Sequence, residues 1–360
     1  MSIKVKADVI KIIAAVVRDY DCSLSDILPL YKSVSKLYQV YSERNIRTEV
    51  SKVFLSLAER FEEFAKVAPI VDDLNAYSKK RIQEPDFERR LSAFSLVNRQ
   101  EYPNLTLVEW MPIIYSALYF INDENDQSMR SSASYTLIRY VDCLNSKHTE
   151  QSAAEYVEFL KLVVLDNVRL GLRKKNELVQ NEYISVFSHI VESAKYFHDL
   201  DDLKVLLYNG NEEADFFKNV NHPQVHRRQR AIKRLSEHGS ELSGASISRY
   251  LLPMIEHYAF WTEEKLRNVA HETVNTISIL MVHCTWNQYK AIFIRYIQIM
   301  NSAKAKGRDE QLRDAVLLVV ALSTSLHQWA SSAAEKPKDF PKQAEKLDEF
   351  VFNFIDYVLY

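Results

Sequence analysis

The chain has 360 residues, only 5 of them glycine, and a formal net charge of −2. Hairpin turns and phosphate-cradling loops consume glycine at positive φ, and average usage is about 7%, so sheet-rich folds and glycine-rich nucleotide loops are disfavoured. The charge excludes a chain that is polycationic throughout, and nucleic-acid contact must come from a local patch.

In chain order, the first element is a helix. Val9, Ile12, Ile13, Val16 and Val17 recur at steps of three and four, the stripe of an amphipathic helix. A polar break at 19–25 offers Ser25 as the next N-cap, and Phe54, Leu57, Ala58 and Phe61 repeat the periodicity. After a break at 98–104, Thr106 is a second cap, and Trp110–Cys143 reads as one helical hairpin turning at Asn122–Asp126. Further breaks fall at 209–215 and 238–246, followed by another helical stretch at Ile279, Leu280 and His283. Residues 331–345, with Pro337 and Pro341, read as a linker, and 346–360 as the terminal helix of a following repeat. No stretch alternates as a strand would, so 1–330 is expected to be all-α.

These elements repeat. An arginine is followed by small or apolar residues three and seven positions later: Arg47 with Val50 and Phe54, Arg130 with Ala133 and Leu137, Arg267 with Ala270 and Val274, Arg313 with Val316 and Val320. Looser copies are Arg90 with Ala93 and Val97, and Arg228 with Ala231 and Leu235; a degraded one has Gln180, Tyr183 and Phe187. The markers are spaced 39 to 50 residues apart, near the period of two-helix solenoid repeats. Pro29, Pro112 and Pro253 precede three of them, early in the preceding helix, where proline removes a hydrogen bond and kinks the axis. Proline-bent first helix and arginine-led second helix resemble the HEAT repeat. The expected architecture is a HEAT-repeat α-solenoid, an elongated superhelix of about seven helical hairpins.

Motifs for chemistry are weak. Gly239–Ser246 has P-loop glycine spacing, but Ala245 stands where lysine is required and no strand precedes it. His222 and His226 have no nearby cysteine or third histidine to complete a zinc site. Cys22, Cys143 and Cys284 are odd in number and far apart, which suits a reducing compartment. The longest apolar run, Ala315–Leu322, falls short of the roughly 20 residues of a membrane span, and no secretory segment follows Met1. The expectation is a soluble intracellular binding protein, with no catalytic residues, cofactor, metal, membrane association or small-molecule substrate.

The densest basic segment is 222–238, with Arg227, Arg228, Arg230, Lys233 and Arg234 and no acidic residue before Glu237. On a helix Val225, Arg228, Ala231, Ile232 and Leu235 share the packed face, which leaves His226, Arg227, Arg230, Lys233 and Arg234 as candidates for contacting RNA or a partner. The ordinary alternative is a solvated helix face. Arg47, Arg130, Arg228, Arg267 and Arg313 are expected to be structural repeat arginines.

Ala214–Leu235 is more specific than a generic repeat. Its Phe216-Phe217, Asn219, His222, His226-Arg227-Arg228 and Arg230-Ala231 resemble the signature of the DRIM family (down-regulated in metastasis), as does Trp110–Asp142 with Phe120–Glu124 and Arg130–Tyr135. That family consists of very large HEAT-repeat proteins of the small-subunit processome, so the resemblance implies an excised piece; the apolar helices at both ends fit that. It further implies a non-catalytic nucleolar scaffold in 18S rRNA maturation, with ribosome-assembly proteins as partners and pre-rRNA or U3 snoRNA as candidate nucleic-acid partners. The competing reading is a HEAT adaptor of another class, such as a transport receptor or phosphatase scaffold.

Overall fold

The computed structural model describes residues 2–334, apart from 20, 82, 83, 209, 210 and 262. Among these residues the protein is all-α, with no strand and one isolated bridge between Tyr77 and Pro85. Contacts divide it into two compact units, Met1–His198 and Asp199–Tyr360.

The first unit holds α1 (Ile3–Asp19), α2 (Leu24–Ser35), α3 (Leu37–Val40), α4 (Arg44–Ala58), α5 (Val67–Leu74), α6 (Phe87–Leu96), α7 (Leu107–Phe120), α8 (Gln127–Asn145), α9 (Glu150–Phe159), α10 (Asp166–Gly171) and α11 (Glu177–Ser193). The second holds α12 (Phe216–Asn219), α13 (Val225–Glu237), α14 (Gly244–Ser246), α15 (Leu252–Ile255), α16 (Arg267–Met281), α17 (Trp286–Ala305) and α18 (Asp309–Ala334). The last helix runs to Ala334; the rest of the expected linker and the terminal helix at 346–360 lie outside the described residues.

Local chemistry sets the boundaries. Thr106 caps α7 in a reciprocal box with Glu109. Ser25 does not cap α2: Ser23 does, because Asp26 lies three residues on and returns the bond to the Ser23 backbone N–H. The expected break at 98–104 is helical instead, a π turn over Val97–Glu101 and a 3-10 turn over Tyr102–Asn104. Pro103 fits there because the first helical turn leaves its amides unpaired, so the missing N–H costs little. Pro29 and Pro112 lie inside α2 and α7, and Pro253 opens α15 directly after a π turn.

Within the first unit α4 packs on α1 and α5, α7 on α8, and α8 on α6 and α11; within the second, α13 packs on α16 and α16 on α18. The marker-bearing helices α6, α8 and α11 thus lie in succession in the first unit, and α13, α16 and α18 in the second. The abundant tyrosines explain themselves here: rings fill the core while hydroxyls reach backbone carbonyls. Tyr31 Oη donates to Val108 O at 2.9 Å, Tyr140 to Tyr156 O at 2.8 Å and Tyr258 to Val220 O at 2.8 Å. Cys143 and Cys284 are buried free thiols, and burial pushes Cys284 up to about 12. No described helix is long and apolar enough to cross a membrane.

Candidate nucleic-acid interface

Five marker residues, Arg47, Arg90, Arg130, Gln180 and Arg228, are each the fourth residue of their α-helix. All five are buried. Each donates backwards to a carbonyl at the end of the preceding helical segment or its turn. Arg47 Nη1 reaches Tyr38 O at 2.7 Å and Tyr41 O at 2.6 Å; Arg90 Nε reaches Ala76 O at 2.9 Å; Arg130 Nη1 reaches Asp123 O at 2.8 Å. Gln180 Nε2 reaches Leu172 O at 2.7 Å, and Arg228 Nε reaches His222 O at 2.5 Å. These last carbonyls have no partner within their own helix and carry the negative end of its dipole, so a donor at this position closes the hairpin. Aromatic rings surround the guanidinium: Arg47 lies 4.1 Å from the Tyr119 centroid, Arg90 4.7 Å from Tyr77 and Arg228 5.3 Å from Trp261.

Arg267 and Arg313 differ. Arg267 is the first residue of α16 and Arg313 the fifth of α18, and both are exposed. A residue's direction turns by about 100° per position on an α-helix, so a shift of register takes the guanidinium off the buried seam. The Arg267 side chain makes no hydrogen bond among the described residues, and Arg313 pairs with the neighbouring Asp314 at 3.6 Å.

The basic segment forms α13. Arg228, Ala231, Ile232 and Leu235 face the core. The side chains of His226, Arg230 and Lys233 are exposed and form no hydrogen bond or ion pair among the described residues. Arg227 and Arg234 are half-buried and engaged: Arg227 Nη1 lies 3.1 Å from His222 Nε2, and Arg234 Nη1 donates to Glu213 O at 2.9 Å with its guanidinium over Tyr208. Desolvation first, then the charges of Arg227, His226 and Arg228, hold the His222 imidazole below its usual pKa.

The start of α13 breaks the usual rules for a helix N-terminus. Its N-cap Gln224 makes no side-chain cap, and its first turn contains no acidic residue. Its first four residues are instead Val225, His226, Arg227 and Arg228. Cations there oppose the helix dipole by roughly 0.3–1 kcal/mol each, and unpaired amides add to the positive potential. An anion is the partner this arrangement suits. Among the described residues no group of three or more His, Cys, Asp or Glu side chains is placed to hold a metal ion.

Helical hairpins packed in succession define an all-α solenoid protein. Residues 1–176 match the family described as U3 small nucleolar RNA-associated protein 20, N-terminal. The chain is 42% identical over 355 residues to U3 small nucleolar RNA-associated protein 20 of Saccharomyces cerevisiae, covering 98% of this chain and 14% of that protein. It is 32% identical over 268 residues to the protein of the same name from Schizosaccharomyces pombe, covering 73% of this chain and 10% of that one. The chain belongs to this family, and it spans about a seventh or less of the length of these relatives.

Proposed function

We propose that the chain is a non-catalytic, HEAT-type scaffold segment acting in small-subunit ribosome biogenesis in the nucleolus. Its partners are ribosome-assembly proteins and pre-ribosomal RNA, which it meets through α13. The observation that carries this reading is 42% identity across 98% of the chain to a protein whose name places it with U3 small nucleolar RNA. The uncapped, cation-led start of α13 supports an anionic partner, and the exposed Arg230 and Lys233 support phosphate contact in particular. Buried marker residues that donate to backbone carbonyls support a scaffold: they hold hairpins together from inside the core.

The test is the double variant Arg230→Gln, Lys233→Gln of the full chain, assayed for binding single-stranded pre-rRNA fragments. Both positions are exposed and off the core, so stability should change by no more than about 0.5 kcal/mol each. RNA affinity should fall while the thermal melt is unchanged. Unchanged affinity with an intact fold would remove RNA from α13 and leave an acidic protein surface as its partner.

A further inference from the structure

A second site lies in the same unit as α13. Trp261, Ala270 of α16 and Leu317 of α18 line a cavity of about 300 Å³, at the lower end of the range for ligand sites, with Arg267, Arg313 and Asp314 on its wall. The cavity adjoins the basic helix, because the Arg228 guanidinium of α13 lies over the Trp261 ring at 5.3 Å. Arg267 and Arg313 are the two marker arginines that are not consumed in closing a hairpin.

Asp314 is the informative residue. It is 7% exposed, and its Oδ2 is buried with no hydrogen-bond partner among the described residues. A buried carboxylate oxygen without a donor is costly, and native structures leave few of them. Burial raises the Asp314 pKa and the Arg313 charge only partly offsets this, so the group gains from a further donor.

Three demands therefore meet in one cavity: a donor edge for Asp314, negative charge for Arg267 and Arg313, and a flat apolar face for Trp261. A cationic peptide side chain would face two arginines. An acidic one would face the carboxylate. A nucleotide meets all three demands at once, with its base edge, phosphate and ring face. Guanine meets the first best, because N1–H and the N2 amino group donate side by side, whereas uracil offers a single N–H. We propose that this cavity binds an unstacked guanine nucleotide of single-stranded RNA, with Asp314 accepting from the base, Trp261 packing on its ring and Arg267 and Arg313 holding the phosphates. The inference rests on the reading of this unit as RNA-contacting, and it adds a base-specific pocket to the phosphate contacts of α13.

The experiment compares two single-stranded heptamers, all-uridine and uridine with one central guanosine, on the full chain and its variants. Trp110, Trp286 and Trp329 are at most 5% exposed, so quenching of tryptophan fluorescence reports mainly on Trp261. The guanosine heptamer should quench and should bind at least about fivefold more tightly than all-uridine RNA, the lower end expected for one well-read base. Asp314→Asn, nearly isosteric, should erase that preference, and Trp261→Leu should remove the quenching and weaken the guanosine heptamer at least about fivefold. The exposed pair Arg267→Gln, Arg313→Gln removes the charge that would hold the phosphates, and should weaken the guanosine heptamer while leaving all-uridine RNA nearly unchanged. Arg230→Gln, Lys233→Gln should weaken both RNAs alike and keep the preference. Wild-type binding without guanosine preference, or a preference that survives in Asp314→Asn, overturns the pocket and leaves the RNA reading standing. No binding of either heptamer by the wild type overturns both.

Discussion

At Arg47 the guanidinium is 1% exposed, donates to two carbonyls and to Asn75, and stacks near Tyr119. Burial pulls its pKa down to about 10, which still leaves it charged at neutral pH. Arg47→Ala strands the carbonyls of Tyr38 and Tyr41 without their donor. Lost charge-assisted hydrogen bonds of this kind cost about 2–3 kcal/mol. Arg267→Ala, at an exposed marker position whose side chain makes no hydrogen bond among the described residues, should cost no more than about 0.5 kcal/mol. Urea denaturation of the two variants should give clearly different midpoints; equal losses would mean that the shared sequence pattern, not the local geometry, sets the role. His222 makes a second residue-level case. Gln224 N–H donates to its Nδ1 at 3.1 Å, and Arg227 Nη1 approaches Nε2. Both neighbours are donors, so a protonated ring suits neither contact. Its folded-state pKa lies below the ordinary 6.5, with desolvation the largest cause, so the unfolded chain binds this proton more readily. The stabilisation is complete above pH 6.5 and is lost as pH falls below it. A proton NMR titration should place the His222 midpoint below 6.5, and His222→Gln should remove part of the acid slope of stability.

Hairpins close by near contact as well as by capping. A Cβ on Gly171, at the end of α10, would collide with the ring of Tyr183 on α11. Tyr183 is itself fixed, since its Oη accepts from Asn122 Nδ2 at 2.9 Å. Gly171→Ala should therefore destabilise by about 1–3 kcal/mol, the range for overpacking, although alanine is the better helix former. A melt unchanged by this variant would show that the hairpin can open without loss. Much of this level was legible in the sequence, because helical periodicity and turn chemistry are local. The turn at Asn122–Asp126, the Thr106 cap and the all-α class follow from residues a few positions apart. The Ser25 cap failed by two residues because Ser23 and Ser25 compete and only the spacing of Asp26 decides between them. The helical run through 98–104 was hidden because π and 3-10 turns have no apolar period of their own. At the candidate interface, the packed stripe of α13 was readable from spacing. The engagement of Arg234 by Glu213 O, 21 residues away, was not. The cavity at Trp261 was not readable either, since it depends on α16 and α18 meeting, and no pattern joins Trp261 to Asp314.

For the whole chain the net charge of −2 sets the terms on which RNA can be held. A polycation gathers RNA through long-range attraction; here the remaining surface gives none, so binding must scale with a few local phosphate contacts. On α13, Arg230 and Lys233 have no side-chain partner among the described residues, and Arg227 and Arg234 can contribute only by giving up internal partners. Two to four contacts predict a log–log salt slope of about −1.4 to −2.8 for single-stranded RNA, at about 0.7 per phosphate. Arg267 and Arg313 could extend it to about −4 when the cavity is also engaged. Titrations at stepped salt concentrations measure this slope directly. Arg230→Gln, Lys233→Gln should flatten it by about 1.4, and Arg267→Gln, Arg313→Gln by a similar amount only for RNA that enters the cavity. A wild-type slope much steeper than −4 would require cations far from α13 and the cavity, and would overturn a local RNA contact in favour of a distributed one.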